Sequence, residues 1–366
     1  MQTYNYEQNI VFTDELKVNV GPLWSFASLA FHTGGRIRQL TQEYLRGSQK
    51  DILWDLRNVE PKRMRMSALT AFLSLAWMVR NLTGRPQRVL VEWKPEVLGF
   101  WNDIDLFRIS DDLDLFVWPE GIRGGFLSDR TNPNTKILLF AYRAPDAIDS
   151  KQLGDWKKSA RQSLKDEFLK RCVSVFEERR KRPQIFTPTV RDSVAFTTAE
   201  LVLNSLLHGR DFAFVGLQRT ARGVTVAACD SGKGFKQSLN ANYHLSGEVK
   251  VKRDIDAVLF GSLMNIYEVG LRSAIDEVVR SSGWVVIASG SAEISWSLSL
   301  YRNAISMLSE TTVRSPVDMP KAEELIGQPV AHSIHPEERK MGFSRIISAG
   351  LPGSRVAFEI RLTQEE

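Results

Sequence analysis

Cysteine is scarce: the 366 residues contain only Cys172 and Cys229. Neither lies at metal-ligand spacing from other ligand types, so a disulfide framework and zinc chemistry are both excluded, and free thiols in a reducing compartment are expected. Long hydrophobic runs are also missing. No segment approaches the roughly 18 apolar residues that cross a bilayer, and Met1 to Asp14 mixes polar, acidic and aromatic residues unlike a signal peptide. A cytoplasmic protein with no membrane partner is the expectation. Nor is there an excess of one charge: 48 Lys and Arg face 43 Asp and Glu, a net +5 that does not by itself call for nucleic acid. No internal repeat and no low-complexity segment occurs.

What is present concentrates between Thr197 and Gly234. The run Ala199 to Gly209 is apolar enough for a buried helix, yet it carries Glu200, Asn204 and His208. At about 100° per residue these fall on one face, about 6 Å apart per step. The plain reading of each is structural: a lone carboxylate in an apolar helix is paired with a basic neighbour, and a lone Asn is a satisfied core amide. Beyond a predicted hairpin, the strand Gly223 to Cys229 runs into Asp230-Ser231-Gly232-Lys233-Gly234-Phe235. Asp230 can accept a hydrogen bond from an exocyclic amine, and Gly232 and Gly234 let the backbone approach a flat ring or a phosphate.

Glu-x-x-x-Asn-x-x-x-His on a helix, then a hairpin, then Asp-x-Gly-x-Gly-Phe resembles the N box and first glycine box of the GHKL ATPase superfamily, and most resembles its anti-sigma-factor serine kinases. Gly270-Leu271 with the amphipathic run Ser273 to Arg280 and the strand Trp284 to Ser289 is similar to the second glycine box, although the family's Gly-x-Gly-Leu reads Glu268-Val269-Gly270-Leu271 here. Gly350 to Ile360 is similar to the fold's last turn and strand. The resemblance implies ATP and Mg²⁺ as cofactors. Asn204 would offer its amide oxygen to the metal, and Glu200 would be the general base toward water or a partner's serine. His208 would hold phosphates or merely cap the helix. Asp230 would read the adenine amine, Gly232 and Gly234 would pack on the base, and Gly270 and Leu271 would lie beside the phosphates. Residues 236 to 268 fall where the family carries a lid, and Lys250, Lys252 and Arg253 are cations within that stretch.

The first hundred residues alternate strand and helix signals. The predicted elements are a strand over Leu16 to Val20, a helix over Ser25 to Arg46, a strand buried on both sides over Asp51 to Leu56, a helix over Met66 to Leu82, a strand over Arg88 to Trp93, and a short aromatic helix over Val97 to Phe107. This order resembles the STAS domain of anti-sigma-factor antagonists. The family's phosphorylated Asp-Ser pair is absent, and Ser67, the one hydroxyl nearby, is expected to cap the helix. Farther on, Lys136 to Ala141 reads as a strand, and Asp155 to Arg182 as a charged helix whose apolar stripe packs on the second sheet.

The expected chain is therefore a two-domain α+β and α/β protein: a STAS-like α/β domain over 1–115, a connecting segment over 116–158 with one or more strands, and a GHKL domain over 159–366. The last would be a Bergerat-type α/β sandwich, a mixed sheet covered by helices on one face, and the length allows separate cores. The implied function is an ATP-binding regulator that hydrolyses ATP or phosphorylates a protein partner on Ser or Thr. The alternatives are a nucleotide-gated ATPase acting as a homodimer and a non-catalytic ATP-sensing scaffold.

Overall fold

The computed structural model describes residues 15–47, 50–60, 64–122, 137–144, 153–171, 188–209, 212–219, 223–247, 250–264, 271–309, 313, 315–329 and 343–361. Cys172 and Gly270 lie outside these, as does the side chain of His208. The N-terminal part runs β1 (Glu15–Asn19), α1 (Phe26–Leu45), β2 (Asp51–Asp55), α2 (Met66–Thr83), β3 (Gln87–Leu90), α3 (Pro95–Asp103), α4 (Leu106–Asp112) and β4 (Phe116–Val117). The four strands pair in chain order, all parallel. Each crossover steps the same way, so right-handed connections put the helices on one face of the sheet.

Burial follows that layout. Leu16, Val18, Ile52, Trp54, Val89 and Phe116 are buried on the helix side, whereas Lys17 and Asn19 are exposed and Leu53 is half-buried. β2 is thus fully buried on the helix side, and on the other side Asp51 and Leu53 are half-buried while Asp55 is buried. Its open side carries charge pairs, Arg88 to Glu15 at 2.6 Å and Lys17 to Asp55 at 3.4 Å. The Ser25 hydroxyl caps α1 by accepting from the Ser28 N–H at 3.1 Å, and Gly84, at φ +73°, ends α2. Ser67 does not cap α2: Arg65 holds the N-cap position, which leaves Ser67 inside the first turn. The expected aromatic helix breaks in two where Asp105 turns left-handed, at φ +61°.

The second part comprises β5 (Ile137–Arg143), α5 (Leu153–Arg171), α6 (Pro188–Gly209), β6 (Phe212–Arg219), β7 (Gly223–Asp230), α7 (Gly234–Asn242), α8 (Asp254–Leu263), α9 (Leu271–Arg280), β8 (Trp284–Trp296), α10 (Leu298–Ser309), α11 (Ala322–Ile326) and β9 (Phe343–Arg361). The sheet order is β5-β6-β7-β9-β8. Among the described residues all four pairings are antiparallel, so there the sheet is not mixed. Nor is it covered on one face only. Val224, Val226, Ala228, Val285, Ile287, Val356 and Phe358 point to one core, toward α6 and α9, while Phe214, Ala227, Cys229, Ala288 and Ala357 point to the other, toward α1 and α2.

The second face is lined by small residues because helices lie close to it. A Cβ on Gly216 would come within 2.9 Å of Thr70 Cγ2 and 3.2 Å of Met66 Cβ. Thr70 Oγ1 lies 3.3 Å from Cys229 Sγ, and the Trp77 ring meets Phe212 edge-on at 4.7 Å. The layers are therefore parallel sheet, α1 and α2, antiparallel sheet, then α6 and α9. One apolar cluster runs from Val18 and Trp54 through α1 and α2 to Phe214 and Ala357, and a second lies on the α6 and α9 side of the antiparallel sheet. The charged helix α5 packs mainly on α6, and its buried Phe168 also reaches Phe140 of β5, with ring centroids 6.1 Å apart.

Candidate functional site

Helix α6 ends at Gly209, β6 starts at Phe212, and Ala213 pairs with Asp230. The last turn of α6 and the end of β7 therefore meet at one end of the sheet. Asp230 lies on the α6 face, in alternation with Val226 and Ala228. It is 1% exposed. Its Oδ1 accepts from the Gly232 N–H at 2.9 Å and the Ser354 N–H at 3.3 Å, and its Oδ2 accepts from the Ser354 hydroxyl. Burial pushes the carboxyl above the ordinary aspartate value, and these donors with the Arg355 charge act in the opposite direction.

Two glycines make this corner possible. Gly234 has φ +70°, and a Cβ there would sit 2.6 Å from Ser289 Oγ. Gly353 has φ +79°, and a Cβ there would run into the Asp230 carbonyl. Ser289 closes the corner by accepting from the Phe235 N–H and donating to the Gly353 carbonyl, both at 3.0 Å.

Glu200 is 1% exposed, and its carboxylate is held by the Arg161 guanidinium of α5, through Nε to Oε1 and through Nη2 to Oε2 at 3.4 Å. Asn204 is half-buried one turn farther along the same face. Leu271 opens α9 and, with Thr197 and Leu201 of α6, lines a narrow crevice completed by Ala274, Ile275 and Val285. The Thr197 hydroxyl, 1% exposed, has no hydrogen-bond partner among the described residues. The structure thus brings Leu271 beside the Glu200 helix, and Asp230, Gly232 and Gly234 to the end of that helix.

Within the stretch expected as a lid, α8 is bedded on β8 through buried Ile255, Val258 and Leu259. Arg253 is engaged by Asp256 and Glu323, both at 2.6 Å, whereas Lys250 and Lys252 are exposed. Burial pushes the Asp254 carboxyl up, but Lys236 at 2.7 Å and the Ser291 N–H and hydroxyl outweigh it and hold the group below its ordinary value.

Arg161, Ser289, Ser354 and Arg355 were not singled out from sequence. The only available signal was Gly-Leu-Pro-Gly-Ser-Arg, legible as a turn but not as a partner for Asp230. Arg355 is 3% exposed and donates to the carbonyls of Leu351 at 3.0 Å, Pro352 at 2.9 Å and Gly290 at 3.3 Å. Cys229, on the opposite face from Asp230, is a free thiol pushed up to about 12 by burial. Among the described residues no group of three or more His, Cys, Asp and Glu could hold a metal, and no helix is long and apolar enough to cross a membrane.

Comparison of the chain with protein-family models, with curated proteins and with solved structures finds no match.

Proposed function

We propose that the chain is a cytoplasmic regulator that binds ATP and Mg²⁺ at the end of the antiparallel sheet through a GHKL-type site, and that its STAS-like N-terminal part serves a protein partner. The observation that carries this reading is Asp230. A carboxylate has about four acceptor positions. Three are taken, by Gly232 and by Ser354 twice, which leaves one on Oδ2 for an exocyclic amine. Gly234 and Gly353 let the loop and β9 pack against each other beside that carboxylate and hold its donors in place. Asn204 would hold the metal, and His208, Gly232, Gly234, Gly270 and Leu271 would line the nucleotide. Bound Mg²⁺ would neutralise charge on the phosphates.

Glu200 can act as a general base only after it leaves Arg161, whose guanidinium occupies both of its carboxylate oxygens. That pair favours a second reading, an ATP-sensing scaffold in which Glu200 is structural. If the reaction is phosphorylation, the acceptor serine would come from a partner. Ser67 lies on α2, across the antiparallel sheet from Glu200.

Calorimetric titration with ATP and Mg²⁺, with phosphate release assayed on the same samples, tests the proposal. Binding is expected in the wild type, lost in Asp230→Asn and weakened in Asn204→Ala. Release that disappears in Glu200→Gln selects the enzyme, and binding without release selects the scaffold. No heat from a folded wild type would overturn both.

A further inference from the structure

We propose that Arg355 is a positioning residue for Asp230 and thereby sets selectivity for a purine bearing a 6-amino group over one bearing a 6-oxo group. The inference rests on the adenine reading of Asp230.

Ser354 and Arg355 are consecutive in β9, so they project to opposite faces of the sheet. Ser354 meets Asp230 on the α6 face, and Arg355, paired in register with Cys229, lies on the α1 and α2 face. A buried cation is ordinarily matched by a hydrogen-bonded carboxylate. Among the described residues, Arg355 instead spends its hydrogen bonds on three main-chain carbonyls.

Those carbonyls define its role. Leu351 and Pro352 lie in β9 just before Ser354, at a bulge opposite Gly290 of β8, where the register of the two strands shifts. The guanidinium fastens the bulge to the neighbouring strand. The same bulge sets Gly353 against the Asp230 carbonyl and delivers both the N–H and the hydroxyl of Ser354 to the Asp230 carboxylate. The Arg355 charge also acts on Asp230 from behind the sheet and offsets part of the burial that raises its carboxyl. An acceptor oxygen fixed by donors at its other positions attracts the amine of a 6-aminopurine and repels the carbonyl of a 6-oxopurine. If the bulge were loose, Ser354 could rotate its hydroxyl away from Asp230 and the distinction would fade.

The test is the affinity ratio for ATP and inosine triphosphate, measured by calorimetry with Mg²⁺ in the wild type, Arg355→Lys and Asp230→Asn. Lysine keeps the charge but gathers its donors on one nitrogen, in place of the two that reach Leu351 and Pro352 on one side and Gly290 on the other. The expected result is a fall of about tenfold in ATP affinity with inosine triphosphate unchanged, so that the preference collapses. A parallel fall for both nucleotides, or no change, overturns the positioning role. If Asp230→Asn abolishes ATP binding while Arg355→Lys keeps the preference, the adenine reading stands and this inference fails. A wild type that binds neither nucleotide overturns both. Should Arg355→Lys not fold, hydrogen exchange on the wild type decides: the Ser354 amide is expected to be protected before nucleotide is added, and exchange at the rate of an open turn overturns the proposal.

Discussion

Asp230 is almost wholly buried, and burial raises its carboxyl above the ordinary value near 3.8, with Ser354, Gly232 and Arg355 offsetting only part of that rise. The folded chain therefore binds this proton more tightly than the unfolded chain. The resulting stabilisation is complete below the unfolded value and is lost as pH rises through the folded one. Asparagine keeps an Oδ1 for the two N–H donors and offers its amide hydrogen to Ser354. Asp230→Asn is expected to melt above the wild type at neutral pH, with a margin that narrows as pH falls toward about 4, while ATP binding is lost. Thermal unfolding across a pH series checks this, and a lower melting temperature at neutral pH would refute it. Asp230 was legible in the sequence because its loop lies within seven residues. Its partner Ser354 was not, being 124 positions away, nor was Arg161, 39 positions from Glu200 on another helix. Local spacing encodes a face or a turn, not the side chain that a different element brings to it.

Elements were more legible than contacts, since periodicity and caps are local: α1 with its Ser25 cap, α2 with its Gly84 stop, and the β6–β7 hairpin all follow their sequence patterns. What the patterns understated was the second buried face of the antiparallel sheet. β7 reads Gly-Val-Thr-Val-Ala-Ala-Cys-Asp and is buried at every position. Such a run signals a strand covered on both sides, and the small residues Gly216, Ala227 and Cys229 signal a helix lying close. This seam can be tested at Gly216. Gly216→Ala would press its methyl on Thr70 Cγ2, which cannot swing aside because the Thr70 hydroxyl is bonded to the Met66 carbonyl at 2.8 Å. Overpacking of this kind costs about 1–3 kcal/mol. Thr70→Ser removes the methyl and keeps the hydroxyl, so the double variant is expected to lose less stability than the sum of the single ones. Chemical denaturation of the four proteins measures the cycle, and strict additivity would show that the two residues do not press on each other.

The same seam decides how the whole molecule unfolds. Composition and length pointed to two domains with a core each, and a chain of this size ordinarily divides that way. Here α1 and α2 face both sheets, and the cluster that contains Trp54 and Phe72 continues into Phe214, Ala288 and Ala357. Freeing the parallel sheet would strip the antiparallel sheet of one cover and expose Ala227, Cys229 and Ala357 together with the buried guanidinium of Arg355. Neither part can open while the other keeps its apolar surface dry, so the two should open together. One cooperative transition is expected in urea, with tryptophan fluorescence and far-ultraviolet circular dichroism superimposing at a common midpoint. The fluorescence is weighted toward the parallel-sheet half, which holds Trp24, Trp54, Trp77, Trp93, Trp101 and Trp118, while the dichroism reports helices of both halves. An early fluorescence change that leaves part of the dichroism intact would mean that α1 and α2 dock on a sheet already folded. Coincident curves would instead make the N-terminal layer part of the wall behind Asp230 and the β9 bulge that Arg355 holds.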